Sequence, residues 1–302
     1  MRVRLSKQII IAVCGVAILG IVAFTLSNLP KKAIPPDTAQ ITPTEQPTPQ
    51  PIPNPVRHEI IGKSVEGRNI DAYIYGTGAT HLLFVGGIHG GYEWNSVLLA
   101  YQFMDYVKES PDIIPKNITV AIIPSANPDG VYRVIGKNGR FTIDDVPTTQ
   151  LPDGTGRFNA HGVDLNRNFD CNWAPKSTWK GQVVSAGTKV FSEPEAIAIR
   201  DFVSAFTPSV AIFWHSKANA VYASECNDGI LPQTLELMNL YARASKYTPI
   251  KTFDSYKITG DVEGWLASIN IPAITVELKT HETVEWEQNL AGFQALLKYY
   301  GK

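Results

Sequence analysis

The stretch Gly86-Gly-Ile-His-Gly-Gly-Tyr-Glu-Trp94 is the point around which the predicted fold is arranged. The apolar run Thr80–Val85 before it is typical of a buried strand, and apolar residues from 93 to 108 recur at helical spacing. His89 and Glu93 are therefore expected in a glycine-rich turn between strand and helix, where open α/β sheets place their binding sites. An imidazole and a carboxylate this close suit zinc, although a loop histidine beside a capping glutamate would show the same pattern.

The composition is that of a globular enzyme. The chain has 302 residues, of which 44% are hydrophobic and 18% charged, and its formal net charge of −1 does not point to nucleic acid as a partner. Strand and helix patterns alternate from about residue 57 onward, which predicts one α/β domain over residues 57–302.

Residues 1–26 carry the pattern of a membrane segment. Three basic residues precede an uncharged apolar run from 9 to 26, which is just long enough to span a bilayer. No small-x-small cleavage site follows, which favours an uncleaved anchor over a removed signal peptide. Residues 27–56 hold nine prolines and are predicted to be an extended linker. We therefore expect a membrane-anchored protein with an extracytoplasmic domain, or a secreted one if the segment is cleaved.

Two further polar residues come directly after predicted buried strands. His215 follows one such strand and Glu277 follows the next, and the strand end at His215 is expected near the turn that carries His89. Three protein ligands with an open fourth position are typical of a catalytic zinc site, and His89, Glu93 and His215 would supply them. A core histidine and a strand-end salt bridge are the structural alternatives for His215 and Glu277.

The most specific motif is Gly156-Arg-Phe-Asn-Ala-His-Gly-Val-Asp-Leu-Asn-Arg-Asn-Phe-Asp170. Together with the stretches around His89, His215 and Glu277, it resembles the zinc metallocarboxypeptidases of the carboxypeptidase A/B type. The likeness covers about residues 57–300 and looks closer to the compact bacterial branch that includes murein-tripeptide amidases. It implies a mixed twisted β-sheet flanked by helices, one zinc ion per chain, and a peptide substrate with a free C-terminal carboxylate.

The resemblance assigns the metal ligands. His89, Glu93 and His215 match the three zinc ligands of the family. The family usually places two residues between the first histidine and the glutamate, whereas residues 90–92 make three here. We expect the paired glycines of this turn to absorb the extra residue.

The resemblance also assigns residues that face the substrate. Asn166 and Arg167 match the pair that holds the terminal carboxylate, and arginine offers a planar fork that suits bidentate binding. Arg157 matches the arginine that polarises the scissile carbonyl. Glu277 matches the general base and Tyr256 matches the tyrosine that closes over the substrate.

Glu263 is the candidate specificity residue. In the resembling enzymes, the position seven residues after the closing tyrosine lies at the floor of the pocket for the C-terminal side chain. Glu263 occupies that position here, and Asp261 lies two residues before it. A partly desolvated carboxylate favours a cation, which predicts a C-terminal Lys, Arg or diaminopimelate. The alternative is that Glu263 faces solvent or pairs with a protein cation.

The sequence thus predicts a zinc carboxypeptidase, with basic or cell-wall diaminopimelate peptides as candidate substrates. A zinc deacylase of the aspartoacylase type and an inactive peptide-binding module are the alternatives. The turn at residues 127–130 and the segment 256–265 favour the carboxypeptidase. Cys171 and Cys226 are either a disulfide or two separate buried thiols.

Overall fold

The structure, a computed structural model, describes residues 56–302. The predicted membrane segment (1–26) and all of the predicted linker except residue 56 lie outside the described residues. Within 56–302, no helix combines the length and the apolar character needed to cross a membrane.

Ten strands and six α-helices make up the described part of the chain. In chain order they are β1 (Arg57–Lys63), β2 (Asn69–Gly76), β3 (Thr80–Val85), α1 (Trp94–Glu109), β4 (Ile118–Ile123), α2 (Pro128–Ile135), β5 (Lys176–Trp179), β6 (Gln182–Ser185), α3 (Pro194–Phe206), β7 (Val210–Ser216), β8 (Ala220–Ala223), α4 (Pro232–Ser245), β9 (Thr248–Ile250), α5 (Val262–Ser268), β10 (Ala273–Leu278) and α6 (Trp286–Tyr300).

Eight strands form one mixed sheet in the order β1-β2-β4-β3-β7-β10-β8-β9, and β5 and β6 form a separate hairpin. The four central strands, β4, β3, β7 and β10, run parallel to one another. Because a central parallel sheet is covered on both faces, its strands are near-continuous apolar runs, as in Ile118–Ile123 and Val210–Trp214. The carboxyl ends of these strands therefore share one edge of the sheet.

Helices cover both faces of the sheet and bury two hydrophobic clusters. One cluster joins α1, α4 and α6 to the sheet through large aromatic side chains such as Phe103, Tyr241 and Phe293. The other joins α3 and α5 to the opposite face, with Phe202 and Trp265 among its members. Successive strand residues alternate between the two clusters, as the pleat of a strand requires.

The predicted α/β fold with a mixed sheet is confirmed, and the long elements lie within a few residues of their predicted bounds. The turn predicted at residues 127–130 is wrong in part, because Asn127 accepts a hydrogen bond from Gly130 N and starts the short helix α2. His215 and Glu277 lie inside β7 and β10, one residue from the strand ends, and do not follow them.

Candidate active site

Three neighbouring parallel strands bring the site together. His89 follows β3 (Thr80–Val85), His215 lies near the end of β7, and Glu277 lies near the end of β10. His215 and Glu277 are direct partners in the parallel β7–β10 ladder, so their side chains share one region of the sheet edge. This edge is where open α/β sheets bind their ligands.

The two histidines face the same carboxylate through equivalent nitrogens. His89 Nδ1 is hydrogen-bonded to Glu93 Oε1 at 2.8 Å, and His215 Nδ1 lies 3.2 Å from Glu93 Oε2. The two rings meet edge-on with their centroids 4.8 Å apart, and all three side chains are buried. The structure therefore brings the three predicted metal ligands together.

The extra residue between His89 and Glu93 is accommodated by a 3₁₀ turn at Gly90–Glu93. Gly90 has φ +48°, and a Cβ atom there would lie 2.6 Å from the carbonyl oxygen of Gly156. Only glycine fits this left-handed, crowded position without strain. The tight turn that it permits brings the Glu93 carboxylate back within hydrogen-bond distance of His89.

These three side chains fit a zinc ion. Their candidate ligand atoms lie within 4.8 Å of one another, and Glu93 Oε2 is buried without accepting a hydrogen bond. Zinc takes imidazole nitrogen and carboxylate oxygen, and three protein ligands leave the fourth position open. The neighbouring histidines favour the ionised form of Glu93. Burial alone would raise the pKa of Glu93, but His89 and His215 outweigh this effect and lower the pKa.

Asp164 is a member of the site that the sequence interpretation missed. It is 0% exposed, accepts hydrogen bonds from Arg157 Nε and Nη2 at 3.0 and 2.8 Å, and has its other oxygen 3.4 Å from His89 Nε2. Burial would raise its pKa, but Arg157 and Arg167 hold it well below the usual value. Asp164 lies two residues before Asn166 in the most specific motif, and this position was the feature of the sequence that could have identified it as a site residue.

Arg157 is held at the edge of the metal cluster. Besides its bonds to Asp164, its Nη1 lies 3.9 Å from Glu93 Oε1, and its guanidinium lies 4.6 Å from the ring centroid of Trp179. Trp179 belongs to the β5–β6 hairpin, for which the sequence interpretation predicted no element. The hairpin thus fixes the guanidinium against the site.

Glu277 has the character of a carboxylic acid that holds a proton near neutral pH. It is half-buried, and its Oε2 is buried without a hydrogen-bond partner within the described residues. Burial and the neighbouring Glu93 carboxylate raise the pKa of Glu277 to about 8. A bound dication would lower this value, because a metal ion is the largest local charge in such a site.

Asn166 and Arg167 lie in a short 3₁₀ turn beside this cluster. Arg167 is 2% exposed and donates to two backbone carbonyls, those of Asn166 at 2.6 Å and Thr178 at 3.2 Å. Its Nε is buried without a hydrogen-bond partner, and no carboxylate oxygen of residues 56–302 lies within ion-pair distance of it. Asp164 is near enough to interact electrostatically with this buried guanidinium but does not form an ion pair with it, which makes Arg167 a candidate for binding an anionic group of a ligand.

Glu263 lies in the first turn of α5 and is 3% exposed. Its Oε1 accepts a hydrogen bond from Thr275 Oγ1 at 3.0 Å, and its Oε2 accepts one from Asn166 Nδ2 at 3.3 Å. The solvent-facing alternative is therefore wrong: the carboxylate is turned inward, and the basic side chain beside it is His215, whose Nε2 lies 3.2 Å from Oε1.

A single cavity of about 670 Å³ is lined by the candidate metal ligands, by Arg167 and by Glu263. The nine residues singled out from the sequence all line it, namely His89, Glu93, Arg157, Asn166, Arg167, His215, Tyr256, Glu263 and Glu277. Tyr256 is half-buried on the wall, with its ring 4.9 Å from that of Phe253. Cys171 and Cys226 also line the cavity and are joined as a disulfide, which decides between the two options left open by the sequence.

Two residues on the cavity wall were not expected. His281 shares a hydrogen bond with Ser216 Oγ at 2.7 Å, and its ring lies 4.7 Å from that of Tyr92. Tyr92 is the additional residue of the His89–Glu93 turn, and its hydroxyl accepts a hydrogen bond from Lys180 Nζ at 2.9 Å. No sequence pattern marked His281, whose place depends on the loop after β10.

Comparison with known proteins identifies the family. Residues 48–295 match the zinc carboxypeptidase family, so the chain belongs to that family and is a zinc metallopeptidase. The resemblance inferred from the sequence motifs is thereby confirmed.

Three similar proteins illustrate the relationship. γ-D-Glutamyl-L-diamino acid endopeptidase 1 of Lysinibacillus sphaericus is 25% identical over 241 residues, covering 72% of this chain and 59% of that protein. Murein peptide amidase A of Escherichia coli K12 is 30% identical over 165 residues, covering 50% of this chain and 64% of that protein. The chain thus spans less than two thirds of either relative.

The third is a solved structure. The murein-tripeptide amidase of Escherichia coli O157 superposes with a TM-score of 0.58 at 21% identity, covering 81% of this chain and 92% of that one. At this identity the superposition supports the fold.

Proposed function

We propose that this zinc metallopeptidase is a carboxypeptidase that removes the last residue of a peptide with a free C-terminal carboxylate. The observation that carries the proposal is the buried guanidinium of Arg167, which lines the same cavity as the histidines and has no carboxylate partner in residues 56–302. A substrate carboxylate would supply the missing charge and accept a bidentate pair of hydrogen bonds. Asn166, on the same turn, would help to fix its position.

In this proposal His89, Glu93 and His215 hold one zinc ion per chain. When bound, zinc supplies Lewis-acid chemistry, since it makes a water molecule more acidic and polarises a carbonyl. Glu277 takes the proton of the attacking water and passes it to the leaving amine. Arg157, fixed by Asp164, stabilises the negative charge that develops on the carbonyl oxygen. Tyr256 would cover the bound residue from the cavity wall.

The carboxylates of Asp261 and Glu263, which lie near Asn166, favour a peptide substrate with a basic C-terminal side chain. Glu263 lines the cavity and is buried, and burial together with Glu263 raises the pKa of Asp261 to about 6. A cation in this pocket would relieve the repulsion between the two carboxylates. Lys, Arg or a diaminopimelate residue of a cell-wall peptide would provide it, and the diamino acid named in the Lysinibacillus relative is consistent with this choice.

The two alternative functions gain no support. Neither the family match nor the relatives point to a zinc deacylase of the aspartoacylase type, and an inactive binding module does not agree with a zinc metallopeptidase that keeps the candidate base Glu277 beside its three candidate ligands. We further propose that the chain acts outside the cytoplasm, attached to the membrane by residues 1–26. The apolar run of that segment supports this location.

A matched set of peptides tests the proposal. We expect peptides ending in Lys to be cleaved faster than otherwise identical peptides ending in Phe, and amidation of the C-terminus to remove most of the activity. Arg167→Ala should lower kcat/KM for free C-termini and leave little difference between free and amidated peptides. Equal cleavage of both forms by the wild-type protein would contradict the exopeptidase assignment.

A further inference from the structure

His215 lies between two buried carboxylates, one at each ring nitrogen. Its Nδ1 faces Glu93 Oε2 at 3.2 Å, and its Nε2 faces Glu263 Oε1, also at 3.2 Å. His89 has the same arrangement, with Glu93 at Nδ1 and Asp164 at Nε2. Each candidate metal-binding imidazole therefore has its outer nitrogen directed at a carboxylate.

The outer nitrogen of His215 needs such a partner. Its Nε2 is buried and makes no complete hydrogen bond within the described residues, although Glu263 Oε1 is within reach. Buried N–H groups are rarely left without an acceptor, and a small rotation of the ring would complete the bond. Metal-binding histidines usually donate their other N–H to a carboxylate, which fixes the tautomer and the direction of the ring.

Glu263 is itself held in place. Thr275 Oγ1 and Asn166 Nδ2 donate to its two oxygens, and Asn166 cannot turn its amide over because its Oδ1 accepts a hydrogen bond from Val262 N at 2.8 Å. Three donors therefore converge on one carboxylate, including the nitrogen of His215. A glutamine in this position would replace one of the two acceptor oxygens with an amide NH2 group, which would then face another donor.

We propose that Glu263 is a positioning residue for His215 as well as a wall of the pocket for the C-terminal side chain. In this role it holds the proton on Nε2, leaves Nδ1 free to bind zinc, and joins the metal site to the pocket through one carboxylate. The inference rests on the proposed zinc-binding role of His215.

Zinc affinity of the full-length protein tests this positioning role directly. Competition with a chromophoric chelator would give the zinc dissociation constant of the wild type, Glu263→Gln and Glu263→Asp. We expect zinc binding to weaken by about 10- to 100-fold in Glu263→Gln, the usual effect of removing an outer partner of a metal ligand. Glu263→Asp keeps the charge but shortens the side chain, so it should also weaken zinc binding.

Glu195→Gln is the matched control. Glu195 is equally buried and accepts hydrogen bonds from Val65 N and Asn159 Nδ2, but it contacts none of the three candidate ligands. Its zinc affinity should equal that of the wild type. Circular dichroism would establish that each variant is folded, and Glu263→Asp carries the test if Glu263→Gln does not fold.

Wild-type zinc affinity in a folded Glu263 variant would overturn the positioning role. The preference between Lys-ending and Phe-ending peptides is measured separately and reports on the specificity role. Weakened zinc binding with an unchanged preference would support positioning and contradict the basic specificity, so the two proposals can fail independently. Zinc binding that survives His215→Ala unchanged would contradict the metal site itself.

Discussion

At the scale of single residues, burial and the neighbouring Glu93 carboxylate determine the acidity of Glu277, the candidate general base. We predict that Glu277→Gln retains zinc, because the three candidate ligands are untouched, while kcat falls by at least about 100-fold, the low end for loss of a general base. Steady-state kinetics on a Lys-ending peptide and metal analysis of the purified variant provide the measurements. A kcat near that of the wild type would assign the base to another residue.

The same carboxyl group makes the stability of the metal-free protein depend on pH. The pKa of Glu277 rises from 4.5 to about 8 on folding, so the native state holds a proton that the unfolded chain releases. Its stabilising contribution is complete below about pH 4.5 and is lost as pH rises toward 8. We predict that the free energy of unfolding of the metal-free wild type falls over this window relative to Glu277→Gln.

Urea titrations with a chelator present, at several pH values, would measure this difference. Adding zinc should remove most of it, because the dication favours the ionised carboxylate. Parallel pH profiles for the two metal-free proteins would show that Glu277 titrates normally.

The sequence pointed to candidate residues that line the cavity where a motif included them, and missed those whose position depends on the tertiary fold alone. His215 and Glu277 lie one residue from the ends of β7 and β10, and His89 and Glu93 lie in the turn after β3; a periodicity argument can locate these strands. Asp164 lies in the same motif as Arg167, but its role depends on an approach of 3.4 Å to His89, which no local pattern encodes. The contact between Glu263 and His215 likewise joins elements far apart in the chain.

At the scale of elements, the long apolar strands and the helices of thirteen residues or more were predictable, whereas β5, β6, β8 and β9, with at most four residues each, were not. Alternation needs several residues before it can be distinguished from loop, and short edge strands depend on their neighbours for their conformation. The helix α5 was missed for the same reason, since its seven residues span barely two turns.

The disulfide Cys171–Cys226 joins two of these irregular segments. It links the segment after Arg167 to the segment after β8, across 55 residues of chain, on the wall of the cavity. Replacing both cysteines with serine should lower the free energy of unfolding by about 2–4 kcal/mol, because a disulfide mainly restricts the unfolded chain. Urea unfolding would measure the loss, and the control is Cys14→Ser in the predicted membrane segment, which should change nothing. An unchanged midpoint would mean that the two segments are held by packing alone.

At the scale of the whole molecule, residues 56–302 contain a complete hydrophobic core on both faces of the sheet. The proline-rich linker before them has too few apolar residues to add to that core. We therefore predict that a chain beginning at Val56 folds alone and unfolds at the same temperature as the full-length protein, in the presence and in the absence of zinc.

Zinc should stabilise both chains equally. A ligand that binds only the folded state adds about 4 kcal/mol to the free energy of unfolding when its free concentration is about a thousandfold above Kd. Calorimetry with zinc and with a chelator would show the shift in Tm, and His215→Ala should abolish it in either chain. A lower Tm for the shortened chain would mean that residues before Val56 contribute to the stability of the domain, and would move its boundary toward the N-terminus.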